Sequence, residues 1–226
     1  MATHGGPNIV EDGLIFYIDP ANTDSYVSGS ETTFSLFPSA SIAFTGSLVN
    51  NVSGSMGDKK SFNFDGASDY ISLGSSLDLG KNHTISFWLY YPSNGLHIVT
   101  GDPGLGNDYG LYLNNGNNIL YRTTVGYNYF EPTPTLNAWT NLVFTKKDTD
   151  GFAKMYFNGV EKPTVGGSSL MTNGIGKFNT IGAKPDGSGG FSGQISIIQA
   201  YNRELSAQEV KQNFNALNRF GIWAEK

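Results

Sequence analysis

The longest apolar runs in this chain reach only about five residues, and turn formers stop them. Leu14–Ile18 lies between Gly13 and Asp19-Pro20, Phe62–Phe64 breaks at Asp65-Gly66, and the run from His83 to Tyr90 ends before Pro92. Such pieces are far short of the ~18–20 apolar residues of a membrane helix. They have the length and punctuation of strands. Glycine supplies 29 of 226 residues, nearly twice the usual ~7%, and aromatics reach 13%. Together these values describe many short strands joined by tight turns rather than a disordered chain.

Charge narrows the function classes. Charged residues make up 15% of the chain, against ~25% in ordinary globular proteins, and the net charge is −5. The three arginines, Arg122, Arg203 and Arg219, are scattered. Phosphate neutralisation on a nucleic acid needs a basic patch that is not there. The residues from Met1 to Asn8 carry neither a basic nor an apolar region, so no signal peptide is expected. The chain has no cysteine, which removes disulfides, thiolate nucleophiles and cysteine zinc sites.

Alternation then locates the strands. In 140–146 Leu142 and Phe144 share one face and Val143 takes the other; in 152–157 Ala153, Met155 and Phe157 oppose Phe152, Lys154 and Tyr156. Asn114–Asn118, Asp148–Gly151 and Asn158-Gly159 read as hairpin turns, because Asn and Gly tolerate positive φ. One helix is expected, over 206–219. Ser206-Ala207-Gln208-Glu209 is a capping box, Leu205 and Val210 are placed as a staple, and Val210, Phe214 and Leu217 form one stripe. Gly221 is expected to stop it. No linker or repeat divides the chain. The expected fold is therefore all-β: an antiparallel β-sandwich over 1–226 as one domain, with an N-terminal arm (1–12) and one short C-terminal helix.

Five segments in order carry a resemblance. Phe62–Ile71 resembles the F-x-F-D-G-x-x-D-Y strand–turn–strand of laminin-G-like, concanavalin A-like lectin/glucanase jelly rolls, through Asp65, Gly66 and Asp69. His83–Leu89, with Trp88, is similar to the strand F-T-I-S-x-W of that superfamily. Trp139–Thr145 resembles its W-x-x-[LIV] strand, and Lys154–Val160, with Asn158-Gly159, its Y-x-N-G strand. Phe191–Ser206, with Tyr201 and Arg203, matches the closing Y-[ND]-R-x-L-[ST] segment. The opening Gly6–Asn22 and closing Asn218–Ile222 resemble single-domain laminin-G-like proteins of tailed bacteriophages, cyanophages among them. The resemblance implies a virion structural protein on the outer surface of a capsid or tail, as head decoration, fibre or tail-associated part. Its implied partners are other virion proteins, copies of itself and host cell-surface glycan.

Catalysis finds little support. A retaining glycosidase needs two carboxylates about 5–5.5 Å apart. None of the seven glutamates has an aspartate two residues on. The histidines His4, His83 and His97 are scattered, and no H-E-x-x-H or G-x-S-x-G occurs. His83, opening a strand, reads as a surface or satisfied histidine. The chain is expected not to be an enzyme and to need no cofactor.

Calcium is the one ion to weigh, since many laminin-G-like and lectin relatives bind it through loop oxygens. Asp102, Asn107 and Asp108, in Gly101–Asp108, form the best cradle by composition; a plain loop is the alternative. Ser196 stands where relatives often carry an acid. Asp65 and Asp69 read as turn-fixing residues. For glycan, aromatic faces flanked by amides are required. Tyr127, Asn128, Tyr129 and Phe130, read as a loop bounded by Gly126 and Pro132, are the candidates, with Tyr127 and Tyr129 foremost.

Overall fold

The computed structural model describes residues 8–21, 34–35, 45–50, 52–54, 61–90, 92, 95–113, 118–165 and 169–221. The first seven residues, Asn114–Asn117 of the expected hairpin loop, Asn22 and Ile222 lie outside the described residues.

In chain order the strands are β1 (Leu14–Ile18), β2 (Phe34–Ser35), β3 (Thr45–Val49), β4 (Ser53–Gly54), β5 (Phe62–Asp65), β6 (Tyr70–Gly80) and β7 (His83–Tyr90). They continue as β8 (His97–Gly101), β9 (Tyr109–Leu113), β10 (Ile119–Arg122), β11 (Tyr127–Phe130), β12 (Thr140–Lys146) and β13 (Ala153–Phe157). The last four are β14 (Val160–Lys162), β15 (Thr164–Val165), β16 (Gly176–Ile181) and β17 (Ser192–Tyr201), followed by helix α1 (Ala207–Leu217). The first sheet has the order β14-β13-β12-β7-β17-β5-β4, and β1 also pairs with β17. The second has the order β15-β11-β10-β9-β8-β16-β6-β3-β2. The strand pairs are antiparallel, and the two sheets stack as the expected sandwich.

The inner faces interlock through aromatic rings. Phe144 of the first sheet stacks on Tyr121 of the second at 4.8 Å and meets Phe130 edge-on at 5.3 Å. Phe16 on β1 meets Phe178 on β16 edge-on at 5.5 Å. Ala153, Met155 and Phe157 point inward with Leu142 and Phe144, as their alternation requires. Lys146 ends the β12 row fully buried and donates its ammonium to the Lys147 carbonyl. Burial pulls its pKa down, opposed by Asp148, Asp150 and Glu204.

His83, paired with Lys146 in register, is a satisfied core histidine. Nδ1 lies 2.7 Å from the Gly80 carbonyl and Nε2 lies 2.7 Å from the Tyr121 hydroxyl. The neutral ring meets both needs by donating at Nδ1 and accepting at Nε2. Burial lowers its pKa to about 4.

The signature residues are turn and closure devices. The Asp65 carboxylate accepts from the amides of Ala67, Ser68 and Asp69, and the Ala67 bond first of all holds its pKa low. Gly66 has φ +83°, and a Cβ there would come within 2.8 Å of the Ser192 Cβ, so the turn has no room for a side chain. Asp69 accepts from the Asp65 amide. Asn158 and Gly159, both at positive φ, turn β13 into β14, and Asn158 Oδ1 accepts from the Asn141 amide.

The outer face of the first sheet is covered by α1 and the opening segment. Ser206 and Glu209 form the capping box, and Leu205 packs with Val210. Arg203 ties Glu209 to Asp12, and its guanidinium is the leading reason Glu209 titrates at about 2. Tyr201 Oη donates to the Val10 carbonyl and accepts from Gln199 and Asn213 side-chain amides. Asn213 Oδ1 accepts in turn from the Val10 amide. Beside this network Trp88 stacks on Phe214 at 5.6 Å and meets Phe220 at a tilt at 4.7 Å, and Phe220 stacks on Trp139 at 4.3 Å. The helix ends earlier than expected. Asn218 is its C-cap, and Gly221 takes φ +70° beyond it, after Phe220 has turned back onto Trp88. Among the described residues no helix is long and apolar enough to cross a membrane.

Two outcomes follow. Below pH 6.5 an unfolded chain protonates His83 while the folded one does not until about pH 4. Folding stability should therefore fall with pH across that window, by about 1 kcal/mol per pH unit. Urea unfolding between pH 6.5 and 5, above the range of the depressed Asp65 and Glu209, should show this slope in the wild type and not in His83→Gln. Tyr201→Phe should cost about 1–3 kcal/mol, since it strips partners from buried groups; hydrogen exchange should show faster exchange in Val10 and the α1 amides.

Candidate functional site

Strand β11 decides where the aromatic cluster points. It is a strand rather than the loop expected, pairing with β10 on one side and β15 on the other. Alternation divides its four residues between two faces. Phe130 is fully buried in the core against Phe144. Asn128 is fully buried too: Oδ1 accepts from the Ala153 amide of the first sheet, and Nδ2 donates to the carbonyls of Tyr127 and Ser169. The Ala153 bond ties the two sheets together. Asn128 and Phe130 therefore leave the glycan candidates, because inward side chains of a central layer cannot reach a ligand.

Tyr127 and Tyr129 remain, half-buried on the outer face of the second sheet. Their rings meet edge-on at 5.4 Å. Beneath them lie Ile98, Tyr112 and Leu120, all buried. Arg122, one strand over, places its guanidinium 4.9 Å from the Tyr127 ring centre. A cation over an aromatic face is attracted by the ring quadrupole. Sequence reasoning missed Arg122 as a site residue. Alternation over Ile119–Arg122 carries the signal, since Ile119 and Tyr121 are core residues and Leu120 and Arg122 take the other face.

The backbone under the pair is fixed. The Tyr127 amide donates to Ser169 Oγ, and its carbonyl accepts from the Ser169 amide. A Cβ on Gly126 would come within 2.5 Å of the Leu170 carbonyl oxygen, so this turn requires glycine. A Cβ on Gly106 would stand 2.7 Å from Arg122 Nη1 and push the guanidinium aside, which brings the 101–108 loop against the same face.

That loop is arranged differently from a calcium cradle. Asp102 is fully buried, and its carboxylate accepts from the Gly104 amide at 2.8 Å and pairs with Lys177 at 3.2 Å. Lys177 supplies the positive charge that a cation would bring. Asn107 and Asp108 are exposed, both at positive φ. Among the described residues no three His, Asp or Glu side chains gather as metal ligands. Ser196 is buried and accepts from Arg219, whose guanidinium also grips both oxygens of Asp19 at 2.7 and 2.8 Å.

No curated protein matches the chain in sequence. Among solved structures, a Trypanosoma rangeli sialidase in complex with sialic acid is similar at 16% identity and TM-score 0.57, over 92% of this chain and 34% of that one. The binding domain of botulinum neurotoxin serotype G is similar at 18% identity and TM-score 0.57, over 89% of this chain and 50% of that one. The receptor-binding domain of a botulinum neurotoxin C/D mosaic serotype follows at 16% and 0.58, over 92% and 52%. The chain thus spans a third to a half of these structures, which share its fold. Residues 65–211, well over half of the chain, match the laminin-G model of the concanavalin A-like lectin/glucanases superfamily. From the Asp65 turn to the closing helix, this is a lectin-like jelly roll, and the chain belongs to the concanavalin A-like lectin/glucanases superfamily.

Proposed function

We propose that the chain is a non-enzymatic contact module that takes host-surface glycan on the outer face of its second sheet. The observation that carries this reading is the Tyr127–Tyr129 pair, outward and half-buried over an apolar floor, with Arg122 at its side. Such rings take the apolar face of a sugar, and a guanidinium takes its oxygens. The fixed backbone of β11 limits the ordering cost of binding. The named likenesses to a sialidase solved with sialic acid and to toxin binding domains support a fold suited to such contact.

The same reading places the module on the outside of a tailed-phage particle, among other virion proteins and copies of itself. The opening and closing motifs of the sequence support that setting. A free-standing carbohydrate-binding module is the alternative. Glycoside hydrolysis is least favoured, because acids that could serve are engaged in the fold: Asp19 with Arg219, Asp102 with Lys177, Glu204 with Lys154 and Glu209 with Arg203.

A glycan array, run with and without calcium, should give hits that Tyr127→Ala and Tyr129→Ala each weaken by about tenfold, the scale of one lost aromatic contact. Binding should survive chelation. An array without hits would overturn the glycan reading. Mass spectrometry of purified virions should find this chain; virions that lack it would overturn the particle setting while leaving the glycan reading standing.

A further inference from the structure

Four large apolar side chains are exposed among the described residues: Leu96, Val125, Phe152 and Leu170. Three of them gather at one tip of the sandwich. Val125 stands in the turn from β10 to β11, Phe152 closes the turn from β12 to β13, and Leu170 lies on the segment between those turns. The Ser169 amide donates to the Tyr127 carbonyl, and the Met171 amide donates to the Gly151 carbonyl. Residues 169–171 are thereby fixed on both sides. Met171 is buried in the core, whereas Leu170 is 64% exposed.

The glycines of the two turns bring these side chains together. A Cβ on Gly151 would stand 3.0 Å from Leu170 Cδ2, which places that side chain over the hairpin leading into Phe152. Gly126, beside Val125, lies against the Leu170 backbone. Single exposed apolar residues are ordinary, but a contiguous patch marks a contact. Its size argues against a stable protein partner. Three side chains about half exposed offer on the order of 300 Å², against the ~800 Å² a side of a standard interface. Asp148 and Asp150, in the hairpin before Phe152, set carboxylates beside the patch, which oppose an anionic head group. The patch is also continuous with the tyrosine face. Val125 is two residues from Tyr127, at most ~7 Å along the chain. Tyr127 is bonded to Ser169, the neighbour of Leu170. Ring faces for a sugar and an aliphatic surface for a hydrocarbon chain therefore lie side by side.

We propose that the ligand of this face is a lipid-linked glycan with an uncharged head, an inference that rests on the glycan reading above. The sugar lies on Tyr127 and Tyr129, and the first part of its hydrocarbon chain lies on Val125, Leu170 and Phe152.

The test is a titration of the ¹⁵N-labelled chain with octyl β-glucoside below its micelle-forming concentration. Methyl β-glucoside serves as the head alone and 1-octanol as the chain alone. Octyl glucoside should give saturable shifts at the amides of Val125, Phe152 and Leu170 together with Tyr127 and Tyr129. It should bind about tenfold more tightly than methyl glucoside, the effect of burying about two methylenes. Leu170→Asn, which leaves the core untouched, should reduce octyl glucoside to the affinity of methyl glucoside, and Tyr129→Ala should weaken both. The lipid inference is overturned, with the glycan reading left standing, if methyl glucoside binds as tightly as octyl glucoside or if Leu170→Asn binds the octyl form as the wild type does. An octyl glucoside titration without saturable shifts overturns it as well. If octanol matches octyl glucoside and no shift reaches Tyr127 or Tyr129, the glycan reading fails and takes this inference with it. Sedimentation velocity tests the other occupant: self-association that Leu170→Asn abolishes would put a second copy on the tip and overturn the lipid.

Discussion

The Tyr201 hydroxyl joins three parts of the chain at one buried point. It donates to Val10 in the opening segment, accepts from Asn213 in α1, and accepts from Gln199 on its own strand. A hydroxyl has one proton and two lone pairs, so this arrangement uses its whole capacity. Burial raises the Tyr201 pKa above that of an ordinary phenol, which keeps the proton in place for the Val10 bond. The energetic weight comes from the alternative: without that hydroxyl, several buried polar groups lose partners, and each such loss costs about 1–3 kcal/mol. Strand β17 bears this residue and also runs through the middle of the first sheet, with β7 on one side and β5 and β1 sharing the other. Fixing β17 to the opening segment and to the helix therefore closes the sheet and covers its outer face in one step.

That closure determines which surface is left for contact. On the first sheet, the outer face is spent on packing: Trp88 and Trp139 form one aromatic cluster with Phe214 of the helix and Phe220 of the chain that follows it. On the second sheet, the described outer face has the Ile98–Tyr112–Leu120 floor and the two half-buried tyrosines above it. The two sheets share one core and differ in what lies outside them. The proposed ligand surface on the second sheet depends on where the helix docks as much as on the tyrosines themselves.

Short-range patterns made much of the fold legible. The capping box of α1, the Asn158-Gly159 turn and the inward set of β12 and β13 are local, set by neighbours within a few residues. The aromatic stretch at 127–130 was harder. Tyr-Asn-Tyr-Phe has no apolar-polar alternation to read, and flanking Gly126 and Pro132 look like loop boundaries. Only pairing with β10 and β15 shows that Asn128 and Phe130 belong inside. The calcium expectation failed to anticipate Lys177 for a related reason. Lys177 is 75 positions from Asp102, and the pair forms because β8 and β16 are neighbours in the sheet, an order no local pattern encodes. Asp102, in turn, must find a cation from somewhere, because an unpaired buried carboxylate is costly.

The low charge content acquires a sharper meaning in this light. Of the few ions the chain has, Asp102 and Lys177, Asp19 and Arg219, and Arg203 with Asp12 and Glu209 are bound to one another to fasten loops, termini and helix. Lys146 is buried outright. Charges committed in this way hold the frame rather than face a ligand. A sugar is bound by ring faces and hydroxyls on a surface that does not move, and every ion pair that fixes a loop reduces the entropy a ligand must later remove. A sandwich whose charges hold the frame and whose outward tyrosines stand on a fixed strand is suited to the contact role proposed above.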